Sequence, residues 1–314
     1  MYKTEKLENF KIAVSDDYDV IVGEEGIRIP SVIRSVKREY VLDETLLGSG
    51  SYGMVFQYIS SDRQYSIMMK LFTDSGADTC LDTSQYLSST KCPGARYVLK
   101  QRCITPKALS KNNAKFVIME SMNGDLGSLA LAPVGLSKRV DMCINVISGI
   151  RCLQSKNKNL NYIDIKPGNI LFKVVNGDRI KICVGDLEVC SSTHQISTYR
   201  PPKEWAEGSF KQGCTEAVSV WGLMLLILWI FKKEGVSRTN PYLIHWKNSK
   251  SKADKNVKGR LKKLQKLVTA MPKLNNKNPK TYMIIETFES CLSKRSSSFE
   301  ELKKALLSYK KLLK

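Results

Sequence analysis

The sequence predicts an α+β fold in which β-hairpins come first and helices follow. Three observations carry that reading. Residues 48–72 run as strand, turn, strand. Asn176-Gly177 stands between two further β-rich runs, a strong hairpin signal. Val218 to Phe231 is almost wholly apolar, includes Trp221 and Trp229, and suits a buried core helix. At 314 residues the chain is long enough to bury a good core.

In chain order, residues 1–40 are a mixed extension ahead of the first strand, expected to pack on the β-rich segments nearest to it. Residues 48–55 read Gly-Ser-Gly-Ser-Tyr-Gly-Met-Val, a complete G-x-G-x-x-G-x-V. Glycines let a hairpin backbone approach phosphates closely, because no Cβ intervenes. In a dinucleotide fold a helix would follow the third glycine. Here the β-rich Val55-Phe56-Gln57-Tyr58-Ile59 follows, then the turn-like Ser60-Ser61-Asp62, then Tyr65 to Phe72. Lys70 is embedded in that second strand, where burying its charge is costly without a partner. Residues 116–126 read as an apolar strand ending in a Gly-Asp turn.

Residues 162–171, Tyr-Ile-Asp-Ile-Lys-Pro-Gly-Asn-Ile-Leu, place Asp164, Lys166 and Asn169 on one short loop. That spacing suits phosphoryl transfer. An aspartate can orient a hydroxyl and accept its proton, a lysine can neutralise charge on the moving group, and an asparagine can ligate magnesium. Taken alone, the loop favours a polar turn before a buried strand. The Asn-Gly hairpin after it delivers Gly185-Asp186-Leu187-Glu188. The apolar run from Val218 is too short for a membrane span. Val257 to Ala270 carries Leu261, Leu264, Leu267 and Val268 at helical spacing, so one face packs.

Together these segments resemble the eukaryotic protein kinases of Ser/Thr type, in family order, over about residues 41–312. The catalytic loop there is usually His-Arg-Asp-Leu-Lys-Pro-x-Asn, and a lysine two residues after the aspartate is the Ser/Thr form. The resemblance implies a two-lobed kinase-like fold after the 1–40 extension. Residues 41–121 would form a small antiparallel β lobe, and residues 122–314 a larger, mainly helical lobe. It implies ATP and Mg2+ as cofactors and transfer of the γ-phosphoryl to a protein hydroxyl. Asp164, Lys166 and Lys70 would be catalytic. Gly48, Ser49, Gly50, Ser51, Gly53 and Val55 would cover the nucleotide, and Lys70 would grip its phosphates. Met119 would line the adenine pocket, backbone groups of Glu120 and Met122 would bond the adenine edge, and Asp125 would reach the ribose. Asn169 and Asp186 would hold the metal. Thr198 to Glu204 resembles the end of an activation segment. Cys291 to Leu302 resembles the family's Cys-Leu-x-x-Asp-Pro-x-x-Arg-Pro-Ser with a short deletion, so that Arg295 would pair with Glu204. The compact length and Arg200-Pro201-Pro202 resemble kinases of large DNA viruses such as the herpesviruses.

The chain also departs from the family. Tyr162-Ile163 replaces His-Arg, which removes the partner of an activation-segment phosphate. Leu187-Glu188 replaces Phe-Gly, and Ser219 stands where an aspartate braces the catalytic loop. No glutamate lies between Lys70 and Glu120 to pair with the lysine. Asp82, in the helical-looking run from Asp78 to Leu87, is the best substitute, with Asp78 and Gln85 also open. Retention of Lys70, Asp164, Asn169 and Asp186 points to an active Ser/Thr kinase; the altered supports leave a pseudokinase scaffold or binding module as the alternative.

Composition bounds the rest. The N-terminus, Met1-Tyr-Lys-Thr-Glu-Lys, is polar and unlike a signal peptide. Nine cysteines without C-x-x-C pairing and only His194 and His245 disfavour zinc and suggest reduced thiols in cytoplasm or nucleus, those of the host cell for a viral protein. No transmembrane segment is expected. The net charge is +20, and it is uneven: residues 232–280 hold 15 Lys or Arg against Glu234 and Asp254. This is either a solvated face or a landing surface for acidic protein substrates, nucleic acid or an anionic membrane. Its few interleaved aromatics argue against sequence-specific base reading.

Overall fold

The computed structural model describes residues 3, 20–22, 27–29, 31–50, 53–71, 92–104, 116–156, 165–175, 179–187, 216–231, 257–274, 278–292 and 298–314. The chain forms two compact units. The first comprises Met1–Cys92, Leu99–Asn123 and Leu187–Val189. The second comprises Pro93–Val98, Gly124–Asp186 and Cys190–Lys314.

The first unit is built on strands β1 (Val20–Val22), β2 (Ile27–Ile29), β3 (Val32–Arg34), β4 (Glu39–Gly50), β5 (Gly53–Ser60), β6 (Ser66–Leu71), β7 (Gln101–Ile104) and β8 (Phe116–Glu120). β1 and β2 pair with each other, and the other six form one antiparallel sheet in the order β3-β4-β5-β6-β8-β7. Side chains alternate across a strand, so one face of this sheet can be apolar throughout. Phe56 and Tyr58 of β5, Ile67, Met69 and Leu71 of β6, and Phe116 and Ile118 of β8 fill it. Ile29, Ile33 and Tyr40 join the same cluster. The sequence reading had the first strand begin after residue 40; strands and core residues in fact start earlier. Lys3 extends this pairing, since its N–H donates to the Gln64 carbonyl at 2.7 Å and its carbonyl accepts from the Ser66 N–H at 3.0 Å. The Arg38 guanidinium lies 3.7 Å from the Tyr65 ring centre.

Among the described residues, the second unit holds a small sheet and five helices. β9 (Gly124–Asp125), β10 (Ile170–Val175) and β11 (Arg179–Val184) run in the order β11-β10-β9. The helices are α1 (Leu136–Lys156), α2 (Glu216–Phe231), α3 (Val257–Thr269), α4 (Pro279–Cys291) and α5 (Phe299–Leu313). α2 is buried on all sides from Ser219 to Phe231, as its apolar run requires. α5 is amphipathic and starts at a capping box: the Glu301 N–H donates to Ser298 Oγ, and the Ser298 N–H donates to the Glu301 carboxylate. The Phe299 N–H donates to Glu216 Oε1 at 2.6 Å, so the first residue of α2 also caps α5. Tyr309 closes the far end, edge-on to Phe231 and Phe288, with its hydroxyl donating to the Pro272 carbonyl at 2.9 Å.

Two contacts hold elements close in this unit. Arg139, in the first turn of α1, is 9% exposed. Its Nε donates to Val134 O at 2.8 Å, Nη2 to Leu131 O at 2.6 Å and Nη1 to Ile230 O at 3.2 Å. A guanidinium buried this way is tolerable because its fork meets fixed acceptors, one of them near the negative end of α2. The 3-10 turn Pro93–Tyr97 is seated on α1 through Gly94. A Cβ there would overlap the Ser148 carbonyl oxygen and come within 2.7 Å of its carbon. Only glycine fits so near another backbone.

Candidate active site

In the first unit, the glycine-rich segment closes the β4–β5 ladder. Gly50 pairs with Gly53, Ser49 with Met54 and Gly48 with Val55. Gly53 has φ of 151°, a backbone state that residues with a side chain rarely adopt. The ladder carries Val55 to Lys70, and Lys70 in turn is opposite Val117 on β8. Residues directly opposite in a ladder point to the same side. Val55, Lys70 and Val117 therefore share the sheet face opposite the apolar core. Met68 and Met119 form the next row on that face. The period-2 pattern explains Lys70: its neighbours Met69 and Leu71 are buried in the core while Lys70 itself is half-buried.

Met119, Glu120 and Met122 are all buried. The Glu120 N–H donates to the Lys100 carbonyl at 3.1 Å, and the Lys100 N–H donates back to Glu120 Oε1 at 3.2 Å. This closed pair pins the end of β8. It also engages the Glu120 N–H.

In the second unit, the loop after Ile165 is a 3-10 turn, Pro167–Asn169, with Lys166 extended at its start. Proline at the first helical position fits, since its fixed φ is pre-set and no N–H is wanted. The Asn169 N–H donates to the Lys166 carbonyl at 3.0 Å. The Leu126 N–H is shared by the carbonyls of Pro167, at 3.2 Å, and Ile170, at 2.8 Å, which ties the loop to β9. From behind, Ile165 is wholly buried, and a Cβ on Gly222 of α2 would lie 3.2 Å from the Ile165 Cβ.

The β10–β11 hairpin pairs Ile170 with Val184 at its base. Asn169 precedes the one and Gly185 follows the other, and the Gly185 N–H donates to the Asn169 carbonyl at 2.8 Å. Asp186 comes next, half-buried, with φ of 51°. A left-handed aspartate is uncommon and costs of order 1 kcal/mol, and such strain concentrates at functional sites. Asn169 and Asp186 thus stand side by side, with Lys166 three residues before the former. Asp125 pairs with Leu171 across β9–β10. One of its carboxylate oxygens, Oδ1, accepts from the Ser128 N–H at 3.0 Å, so that oxygen braces its own turn.

An amide oxygen beside a carboxylate is a hard-donor set of the kind magnesium accepts, since that ion uses one or two protein groups and completes its shell with water and phosphate. Among the described residues, no group of three or more His, Cys, Asp or Glu side chains could hold a metal. Ser51, Asp78, Asp82, Gln85, Asp164, Glu204 and Arg295 lie outside the described residues.

The protein kinase domain family matches residues 41–311. The chain belongs to the protein kinase domain family. The kinase is also similar to a solved structure, the kinase domain of Mycobacterium tuberculosis PknI, crystallised as a double mutant. The likeness is 14% in sequence, with a TM-score of 0.49, and covers 85% of this chain and 94% of that one. No curated protein sequence matches the kinase. The two-lobed α+β expectation holds. Among the described residues, no helix is long and apolar enough to cross a membrane.

Three supports escaped the sequence reading: the backbone of Lys100, the Leu126 N–H and Gly222. Only Gly222 left a signal, as a lone glycine in a run of large apolar residues.

Proposed function

We propose that this kinase transfers the γ-phosphoryl of ATP to a serine or threonine hydroxyl of a protein. The observation that carries the reading is the hydrogen bond from Gly185 to Asn169, which sets Asp186 beside Asn169 at the base of one hairpin. Magnesium, when bound, neutralises charge on the phosphate oxygens. The Asn169 amide oxygen and the Asp186 carboxylate are the groups that would hold it. Val55 and the glycines ahead of it offer a close backbone and an apolar contact for the nucleotide. Lys70, on the same face, grips its phosphates. Met119 lines the base, the Glu120 carbonyl and the Met122 backbone meet its edge, and the remaining oxygen of Asp125 is available to the ribose. Asp164 orients the acceptor hydroxyl and takes its proton, and Lys166 offsets charge on the group in transit. Lysine at position 166 favours serine and threonine over tyrosine. Its substrates are proteins, and the basic composition favours acidic ones.

The test is transfer of labelled phosphate from ATP to a protein acceptor, followed by identification of the phosphorylated amino acid. Lys70→Met, Asp164→Asn and Asp186→Asn should each lower turnover about a hundredfold or more while leaving the melting temperature nearly unchanged. Near-normal turnover in two of the three ends the assignment. The second reading, a scaffold without turnover, is favoured by Glu188 after Leu187 and by the absence of any glutamate between Lys70 and Glu120 in the sequence. A wild-type chain that binds ATP yet transfers nothing would establish it.

A further inference from the structure

The charge excess of the chain gathers in one region of the second unit. Residues 257–274 hold six Lys or Arg and residues 302–314 hold five, with no acid in either stretch. The fold joins the two. The Tyr309 hydroxyl donates to the Pro272 carbonyl at 2.9 Å, and Lys273 Nζ donates to the Leu313 carbonyl at 3.3 Å. The turn that ends α3 therefore rests on the last turn of α5. Leu264 and Val268 of α3 and Leu306 of α5 point into the core. Lys262, Lys263 and Lys266 on α3, and Lys311 and Lys314 at the end of α5, are exposed. Lys310 is balanced by Asp141 at 2.5 Å. Lysine near a helix C-terminus is favoured by the helix dipole, which accounts for Lys266 and Lys311 singly. It does not account for Lys262 and Lys263, which lie nearer the middle of α3.

We propose that this surface binds the phosphate backbone of nucleic acid without reading its sequence. A duplex presents a charge about every 1.7 Å of its axis, so exposed lysines on two helices joined at their ends can meet several phosphates. Lysine ammoniums meet phosphate oxygens as point charges, so they can follow a backbone without the fixed register that a guanidinium fork imposes. A membrane surface rewards apolar groups set beside the charges; among the described residues of α3 and α5, Leu307 is the single exposed large apolar side chain, and α3 buries Leu264 and Val268. No aromatic side chain is exposed on either helix among the described residues, so bases find no stacking platform. The inference is independent of the catalytic reading, because it uses none of the proposed active-site residues.

The test is anisotropy of a labelled mixed-sequence duplex of about 20 base pairs, titrated with the full chain between about 50 and 200 mM salt. Each phosphate met by a lysine adds about 0.9 to the slope of log affinity against log salt. Replacing Lys262, Lys263 and Lys266 by Gln should reduce that slope by about 2.7, so the affinity lost over the salt range shrinks by about 40-fold. Lys311→Gln with Lys314→Gln, on the other helix, should reduce it by about 1.8. Melting temperatures should not move, because all five side chains are exposed. The proposal is overturned by absence of binding, by an unchanged slope in both variants, or by tighter capture on phosphatidylserine vesicles or an acidic peptide at equal salt.

Discussion

Replacing Gly94 by alanine adds one methyl group where the structure has no room for it. The new Cβ would overlap the Ser148 carbonyl oxygen, come to 2.7 Å from its carbon and 3.0 Å from the Cys152 Cβ. Two of these three atoms are backbone of α1, so no rotamer change relieves the clash. Either the Pro93–Tyr97 turn lifts from α1 or the helix bends. Overpacking of this kind costs about 1–3 kcal/mol and more when backbone must move, so a loss near 3 kcal/mol is expected. At about 2–4 °C per kcal/mol for a chain of this class, the melting temperature should fall by roughly 6–12 °C. Gly135→Ala is the matched control. A Cβ there meets nothing within 4 Å, and its cost should stay near that of a poor helix cap, about 1 kcal/mol or less. Thermal and urea melts of both variants, read by circular dichroism, decide the matter. Equal melting of Gly94→Ala and wild type would show that the turn yields freely and that the steric argument is wrong.

Other contacts lead to further expected outcomes. Arg139→Ala should cost about 3 kcal/mol, since three carbonyls, two of them on buried residues, lose a donor, and Arg139→Lys should recover little because an ammonium cannot reach them as a fork; urea midpoints test both. Burial raises the Glu289 carboxyl above its usual range. A carboxyl raised in the folded state adds stability that is full below its unfolded value and lost as pH rises through the folded one. Glu289→Gln should therefore melt higher than wild type near neutral pH, with the gain vanishing on acidification below the ordinary glutamate range. Alanine at Ser191, Ser192, Thr193 and Ser197 together should leave turnover unchanged, because Ile163 offers no cation to a phosphate there; a collapse restored by acidic residues would refute this.

Much of the fold was legible where one local signal sufficed. The apolar run ending at Phe231 and the leucine spacing of residues 257–270 mark α2 and α3 within a residue or two. The β-rich run around Lys70 gives β6, and Asn176-Gly177 gives the hairpin that aligns Asn169 with Asp186. What stayed hidden depends on partners distant in sequence. Gly124-Asp125 reads as a turn, but it is also a rung on β10, which no local pattern can announce. β1, β2 and β3 are three residues each, too short for a period-2 pattern to emerge. Arg139 looks like a surface charge in sequence, and nothing local shows that the Glu120 carboxylate turns back to the Lys100 N–H; only the groups brought to them by folding make them interior residues.

The kinase family match opens at residue 41, yet Ile29, Ile33 and Tyr40 belong to the apolar core of the first unit. Burying such side chains is worth about 1.5–3 kcal/mol each, and a whole domain is stable by only about 5–15 kcal/mol. The boundary by which common descent is recognised is thus not the boundary at which this protein becomes a self-supporting object. A fragment trimmed to residues 41–311 would leave behind three side chains of that core, and with them part of its stability.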